Sequence, residues 1–247
     1  MITIQVSEDI RQRCPDFVGT AVCATVQNTE YNEELWREIN RFIADYRQRY
    51  TADSLKEMPS IQATREAYRR CGKDPSRYRP SGEALVRRTL KGHDLYQVNT
   101  LVDLINLASI AYGYSIGGFD ADKIWSGYQQ TADAISSSQT HSTPLPTREG
   151  LGVSLTLGIG REGEPYEGIG RGPLNIAGLP VYRDAIGGIG TPTSDHERTK
   201  LSLQTTHLLA IVNGYDGNRS NVNACACFIQ DLLIRYAHSD GGHTILF

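Results

Sequence analysis

Residues 98–106 read VNTLVDLIN, and the helix to which they belong restricts the fold more than any other segment. Wound at helical spacing, residues 99–113 set Asn99, Asp103 and Asn106 on one narrow stripe. Leu101, Val102, Leu104, Ile105, Leu107, Ala108, Ala111 and Tyr112 cover the remaining circumference. A helix apolar nearly all round is a buried helix. Its polar side chains must then find partners inside the fold or border a cavity. Such a rod needs layers packed on several sides, and 247 residues suffice for one large core or two modest ones.

The segments that would supply those layers are legible. Residues 2–6 and 17–26 have the β-branched character of strands, with a short helix possible at 7–14. Leu35, Trp36, Ile39, Phe42, Ile43 and Tyr46 recur at helical spacing and predict an amphipathic helix from Asn32 to Tyr50. A further helix is expected over Ile61–Arg70, with glycine able to cap it at Cys71-Gly72. Another opens at Pro80 or Ser81 and runs to Gly92. After Gly113 helical periodicity gives way to short β-like runs separated by glycines, at Tyr114–Phe119, Val153–Ile159, Leu179–Tyr182 and Thr199–Ile211, before a closing helix at Val222–His238. Helices early and strands late indicate an α+β fold. We expect N-terminal helices packed on a mixed or antiparallel sheet formed mostly by the C-terminal half, in a single domain spanning 1–247. Residues 126–150 are Ser/Thr-rich with Pro144 and Pro146, and read as a surface loop or insertion in which His141 has no ligand role.

Hydrophobic content of 39% and charged content of 21% fit an ordinary globular protein. No run approaches the ~18–20 apolar residues of a membrane span, and the opening MITIQVSEDI does not read as a signal peptide. The five cysteines (14, 23, 71, 225, 227) are scattered and odd in number, which points to reduced thiols and a cytoplasmic setting. The net charge of −3 is unevenly spread: between 65 and 91 nine basic residues face three acidic ones, giving +6 there and −9 elsewhere. A basic segment on an acidic body is one footprint of a phosphate-binding surface, and equally of a solvated helix pair bridged to acidic neighbours.

Familiar catalytic signatures are missing. No glycine-rich run ends in Gly-Lys-Ser/Thr, and none of the Gly-x-Gly runs has the strand–turn–helix setting of a dinucleotide fold, so no cofactor is expected. The run GVSLTLG lacks the second glycine of a nucleophile elbow. Cys225 and Cys227 sit in a helical pattern in which i and i+2 point apart, so no metal site is expected. His196, in TSDHERT, reads as part of a solvated turn. More suggestive are GIGRG at 168–172 and GGIG at 187–190, which place backbone where no Cβ is tolerated, either in tight sheet turns or as main-chain amides lining a ligand pocket.

Three blocks occur in order: DPSRYRPSGEALVRRTLKG, VNTLVDLINLASIAYGYSIGGFDADKI and AIGGIGTPTSDHERT. Together they resemble the editing module of the bacterial phenylalanyl-tRNA synthetase beta subunit, its third and fourth domains, and most closely free-standing proteins that carry this module alone. The resemblance spans about Ser60–Asn213. It implies a pocket for an aromatic amino acid and the 3′ end of tRNA, and hydrolysis of tyrosine wrongly attached to the phenylalanine tRNA. It places Asn106 at the pocket and in the catalytic role, Gly187 and Gly188 where backbone approaches substrate, and Asp103 and Asp120 as braces of the loops, Asp103 beside the substrate.

This chain departs from the family at two positions. The family's histidine in His-Ala-Phe-Asp falls at Gly117, and its glutamate at Thr205, beside Gln204. Nothing resembles the synthetase's catalytic or anticodon-binding domains, so the chain is not a complete synthetase.

Two readings follow, with a different small-molecule hydrolase using the same pocket as a third. One is a trans-acting deacylase of mischarged tRNA, with Asn106 and a water-orienting Thr205 at the ester, Asp103, Gly117, Gly187 and Gly188 around the substrate, and Arg69, Arg70, Arg87 and Arg88 on the tRNA. The other is a non-catalytic protein that binds tRNA or an amino acid.

Overall fold

A computed structural model describes residues 2–127 and 153–247. The expected insertion at 126–150, with His141, lies outside the described residues except for Ser126 and Gly127, which are helical. The strands are β1 (Ile2–Val6), β2 (Val18–Thr25), β3 (Ser115–Asp120), β4 (Val153–Ile159), β5 (Glu167–Gly168), β6 (Gly172–Pro173), β7 (Pro180–Arg183), β8 (Gly188–Gly190), β9 (His207–Gly214) and β10 (His243–Leu246). The helices are α1 (Glu8–Arg13), α2 (Glu33–Arg49), α3 (Pro59–Arg70), α4 (Ser81–Leu90), α5 (Thr100–Tyr112), α6 (121–127) and α7 (Arg219–Tyr236).

The fold is α+β. One sheet, in the order β10-β2-β9-β3, is antiparallel throughout; a second, β1-β4-β7-β8, is mixed because β1 runs parallel to β4. Strands β5 and β6 form a separate hairpin. The antiparallel sheet is the middle layer. Its strand β9 is buried along almost its whole length, with Leu208, Ala210 and Val212 facing the helices and Leu209 and Ile211 facing the mixed sheet. A strand covered on both faces needs an unbroken apolar run, and LLAIV supplies one. Leu35, Ile39, Val86, Leu104, Leu107, Ile229 and Leu233 close the core on the helical side. Ile2, Ile4, Leu155, Leu157 and Ile189 close it on the other.

Helix α5 lies within the helical layer, touching α2, α4, α7 and β3. Asn99 caps its first turn by accepting from the Val102 amide at 3.0 Å. Gly113 ends it at φ 72°, where a Cβ would also fall 2.5 Å from Ser60 Oγ; only glycine fits both demands. Strand β9 begins at His207, later than the alternation from Thr199 suggests. Glu197–Thr199 is a 3-10 turn, and the Ser202 amide donates to Thr205 Oγ1 at 2.9 Å, so local side-chain bonding takes the backbone out of the ladder. Helix α7 starts earlier than expected because Asn218 accepts from the Asn221 amide.

Candidate functional site

A cavity of about 490 Å³ opens between α4, α5, β3 and the loop that follows β8. Its apolar wall is Leu85, Val102, Ile105, Ile116 and Leu201, with the exposed side chains of Val98 and Ile169 among the lining residues. The polar lining comprises Asn106 and Ser109 on α5, Ser81 at the start of α4, and Thr191, Ser194, Asp195 and Lys200. The size suits a small ligand.

The loop carrying Asp195 is fixed from several directions. Thr191 Oγ1 accepts from the amides of Thr193 and Ser194 and donates to the Ser194 carbonyl, which closes a tight Thr-Pro-Thr-Ser turn. The Ser81 amide donates to the Pro192 carbonyl at 2.7 Å, and Tyr68 Oη and Thr193 Oγ1 are 2.8 Å apart, which ties α4 and α3 to the same loop. Tyr166 Oη donates to the Ser194 carbonyl at 2.7 Å. Asp195 Oδ2 then accepts from the Gly118 amide at 2.9 Å. Asp195 is only partly exposed. Burial raises its carboxyl to about 7, against which the Gly118 hydrogen bond acts in the opposite direction. A carboxyl titrating near neutrality inside a cavity can exchange a proton with whatever binds there.

The stripe on α5 serves three different ends. Asn99 caps. Asp103 is buried with Oδ2 on Trp36 Nε1 at 2.8 Å and Oδ1 on the Val98 amide at 3.0 Å, and it does not line the cavity; burial raises its pKa and these two bonds lower it. Asn106 does line the cavity, half-buried, and among the described residues its side chain has no hydrogen-bond partner.

The other expected site residues lie elsewhere. Thr205 is buried and does not line the cavity; it donates to Asp120 Oδ2 at 2.8 Å, so its hydroxyl is committed to bracing rather than to a water beside Asn106. Gly187 and Gly188 border a second, more polar cavity of about 630 Å³ with Ser7, Arg161, Glu164 and Arg183. Asn106 and the glycine pair therefore do not share one hollow. The separation has a physical cause: the β7–β8 turn is folded back by Asp184, which accepts from the Ile186 and Gly187 amides, and Gly188 packs on the Tyr166 ring. Gly117 is buried in β3 but does not line the Asn106 cavity, unlike its neighbour Gly118. A Cβ at 117 would fall 2.6 Å from Phe119 Cζ and 3.2 Å from Asp195 Oδ1. The space that a longer residue 117 would need is held by the Asp195 carboxylate and the Phe119 ring.

The basic segment divides into four arrangements. Glu83, 2% exposed, receives Arg65 at 2.8 Å, Arg87 at 3.0 Å and Arg79 at 3.6 Å, so three guanidinium groups share one carboxylate. Arg69 and Arg70 both reach Glu66 on the exposed face of α3. Arg88 stacks on the Tyr96 ring at 3.9 Å and donates to the Asp94 carbonyl. Lys73 is withdrawn from the surface, donating to the carbonyls of Asn175 and Ala177 while burial lowers its pKa. His196 is half-buried against Tyr166, with Nδ1 accepting from the Arg198 amide; burial lowers its pKa, so it is not the solvated turn residue expected.

Cys225 is buried and Cys227 exposed on α7, and all five cysteines are free thiols. Among the described residues no helix is long and apolar enough to cross a membrane. Asp195 is the residue that sequence reasoning passed over; its only local sign is the turn-forming Thr-Pro-Thr-Ser before it. A family model described as the B3/4 domain matches residues 63–226, more than half of the chain and inclusive of every residue lining the Asn106 cavity. No curated protein matches the chain.

Proposed function

Because the chain belongs to the B3/4 domain family, the domain type found in the phenylalanyl-tRNA synthetase beta subunit, we propose that it is a trans-acting deacylase that hydrolyses mischarged aminoacyl-tRNA, with tyrosine on the phenylalanine tRNA as the first substrate to test. The observation that carries this reading is the presence of the half-buried Asp195 carboxylate and of the Asn106 amide, unpartnered among the described residues, in the lining of one largely apolar cavity.

In this reading the amino-acid side chain lies against Leu85, Val102, Ile105 and Leu201, and Asn106 holds the aminoacyl group by hydrogen bonds. Asp195, ionised, accepts a proton from the water that attacks the ester carbonyl. Collapse of the tetrahedral intermediate breaks the bond to the ribose oxygen, which takes that proton back and leaves as the free tRNA hydroxyl. An aminoacyl ester is already activated, so a positioned water and one base suffice, the base contributing about 10²–10⁴-fold. Asp195 thus takes over the task left by the departures at Gly117 and Thr205. Arg69, Arg70, Arg87 and Arg88, with the surplus charge around Glu83, would meet the tRNA backbone.

The test is deacylation of a panel of mischarged tRNAs by the wild type, Asn106→Ala and Asp195→Asn. Turnover by the wild type and its loss in both variants is expected; no turnover on any substrate removes the enzyme reading. The second reading, a non-catalytic protein binding tRNA or an amino acid, is favoured by one observation: Thr205 is tied to Asp120 and away from Asn106. It predicts saturable binding of aminoacyl-tRNA without hydrolysis.

A further inference from the structure

The run GIGRG at 168–172 forms the turn between β5 and β6. The Arg171 amide donates to the Gly168 carbonyl at 2.9 Å and closes a four-residue turn whose third member, Gly170, has φ 65°. Gly172 follows at φ 69°, so the reversal uses the left-handed backbone that glycine supplies. The hairpin is pinned to the loop that carries Asp195. The Ile169 amide donates to the Asp195 carbonyl at 3.0 Å, Gly168 bridges to His196, and Tyr166 Oη reaches the Ser194 carbonyl.

The hairpin carries the wall of the Asn106 cavity outward. Ile169 is 39% exposed and lines the cavity, and Arg171 is exposed two residues beyond it. A Cβ at 168 would fall 3.2 Å from Ser194 Oγ and 3.6 Å from Arg171 Cβ, so the Arg171 stem leaves the hairpin beside a cavity-lining serine. Among the described residues the Arg171 guanidinium has neither a hydrogen-bond nor an ion-pair partner. A cation so placed on a fixed turn is open to an anionic group at the rim. Lys200, the basic residue of the cavity lining, is held by Glu197 at 2.9 Å. An anion brought near the Asp195 carboxylate therefore finds its unpaired positive charge at Arg171.

Resting on the tRNA substrate inferred above, we propose that Arg171 binds the phosphodiester of the 3′-terminal nucleotide, so that the Glu167–Pro173 hairpin seats the aminoacyl ester in the cavity. The phosphate and the ester oxygen belong to one ribose and are joined through its ring and C5′. A guanidinium that grips the phosphate by two parallel hydrogen bonds thereby limits where the ester carbonyl can lie, and the rim beside Ser194 directs it to Asp195 and Asn106. The aminoacyl side chain is left to the apolar wall of Leu85, Val102 and Leu201. A phosphate contact positions without reading the base. Arg171 accordingly sets affinity for the RNA end and has no part in choosing the amino acid.

The test compares two CCA-ended RNA minihelices, one natural and one with a neutral methylphosphonate at the terminal linkage. Their Kd values are measured with the full chain as wild type, Arg171→Ala and Arg171→Lys. Wild type should bind the natural RNA about tenfold more tightly than the methylphosphonate. Arg171→Ala should bind both alike, keep the wild-type Tm and lower the salt slope by about 0.7. Arg171→Lys should recover part of the difference, since a point charge replaces the fork. Hydrolysis of tyrosine ethyl ester, which carries no phosphate, should not change in Arg171→Ala. Three results overturn the proposal even where mischarged tRNA is hydrolysed: equal affinity of wild type for the two RNAs or no binding of either, a preference that survives in Arg171→Ala, or a loss of ester hydrolysis in that variant. A preference that Arg171→Ala abolishes upholds it even where no mischarged tRNA is cleaved, a result that removes the deacylase reading alone.

Discussion

Asp195 Oδ2 receives the Gly118 amide at 2.9 Å, on the edge of β3 that faces away from β9. An edge amide that would otherwise bond water is thereby satisfied by a carboxylate. The arrangement holds a charge beside the cavity at a cost in stability, and that cost can be measured.

Asp195 titrates at about 7 in the folded chain against an ordinary value of 3.8. The folded state thus holds the proton more tightly than the unfolded one. The resulting stability is fully present below about pH 4, is lost as pH rises, and is gone above about pH 7. Full loss corresponds to at most about 4 kcal/mol, less what solvent in the cavity screens. Asp195→Asn keeps an acceptor for Gly118 and carries no titratable charge. Its Tm should match the wild type near pH 4 and exceed it by several degrees at pH 8. Equal Tm values at pH 8 would show that the carboxylate is not strained by its site.

In the proposed deacylation the same titration would act in the opposite sense, since a base works only when ionised. kcat/KM of the wild type should climb tenfold per pH unit up to about pH 7 and level off above it. Asp195→Asn should lose about 10²–10⁴-fold of the plateau rate and have a flat profile. A wild-type profile with no inflection between pH 5 and 8 assigns the base elsewhere.

These two residues also mark where the sequence stops speaking. Periodicity is local, so α5, its Asn99 cap and the double-faced run of β9 can be read from neighbouring residues. Which partner each polar residue on the α5 stripe meets is a long-range matter: Asp103 meets Trp36 across 67 positions, and Asp195 meets Gly118 across 77. Spacing alone treats Asp103 and Asn106 alike, although one is plugged by an indole and the other faces a cavity. Likewise the glycines at 187 and 188 look like ligand-facing backbone until the Asp184 turn and the Tyr166 ring account for them.

Two glycines beside the cavity should respond differently to alanine. At Gly82 the added Cβ would fall 2.7 Å from the Tyr114 carbonyl carbon and oxygen, which are backbone and cannot yield. Gly82→Ala should therefore push α4 from β3 and cost about 1–3 kcal/mol. At Gly118 the methyl would meet Ile105 Cδ1 at 2.7 Å and Leu201 Cδ1 at 3.1 Å, both flexible tips on the cavity wall. Gly118→Ala should cost under about 1.5 kcal/mol in chemical denaturation yet raise KM, because Ile105 and Leu201 line the cavity proposed to hold the ligand and their displacement would narrow it. Unfolding by Gly118→Ala with KM unchanged would place the ligand elsewhere.

The arginines separate in the same way, by what they neutralise. Glu83→Gln strands Arg65, Arg79 and Arg87 around a buried neutral amide, so it should destabilise by about 3–5 kcal/mol. Glu66→Gln removes an exposed partner of Arg69 and Arg70, worth under about 1 kcal/mol, and should leave Tm nearly unchanged. It also removes a negative charge from the face assigned to tRNA. Binding of tRNA, followed by filter retention across 50–200 mM salt, should therefore tighten in Glu66→Gln. Arg69→Ala should weaken it and flatten the salt slope by about one unit at constant Tm. Arg87→Ala should lower Tm, because its guanidinium helps neutralise Glu83. Unchanged affinity and slope in Arg69→Ala would take α3 off the tRNA surface and leave the basic segment as the outer shell of the Glu83 ion cluster.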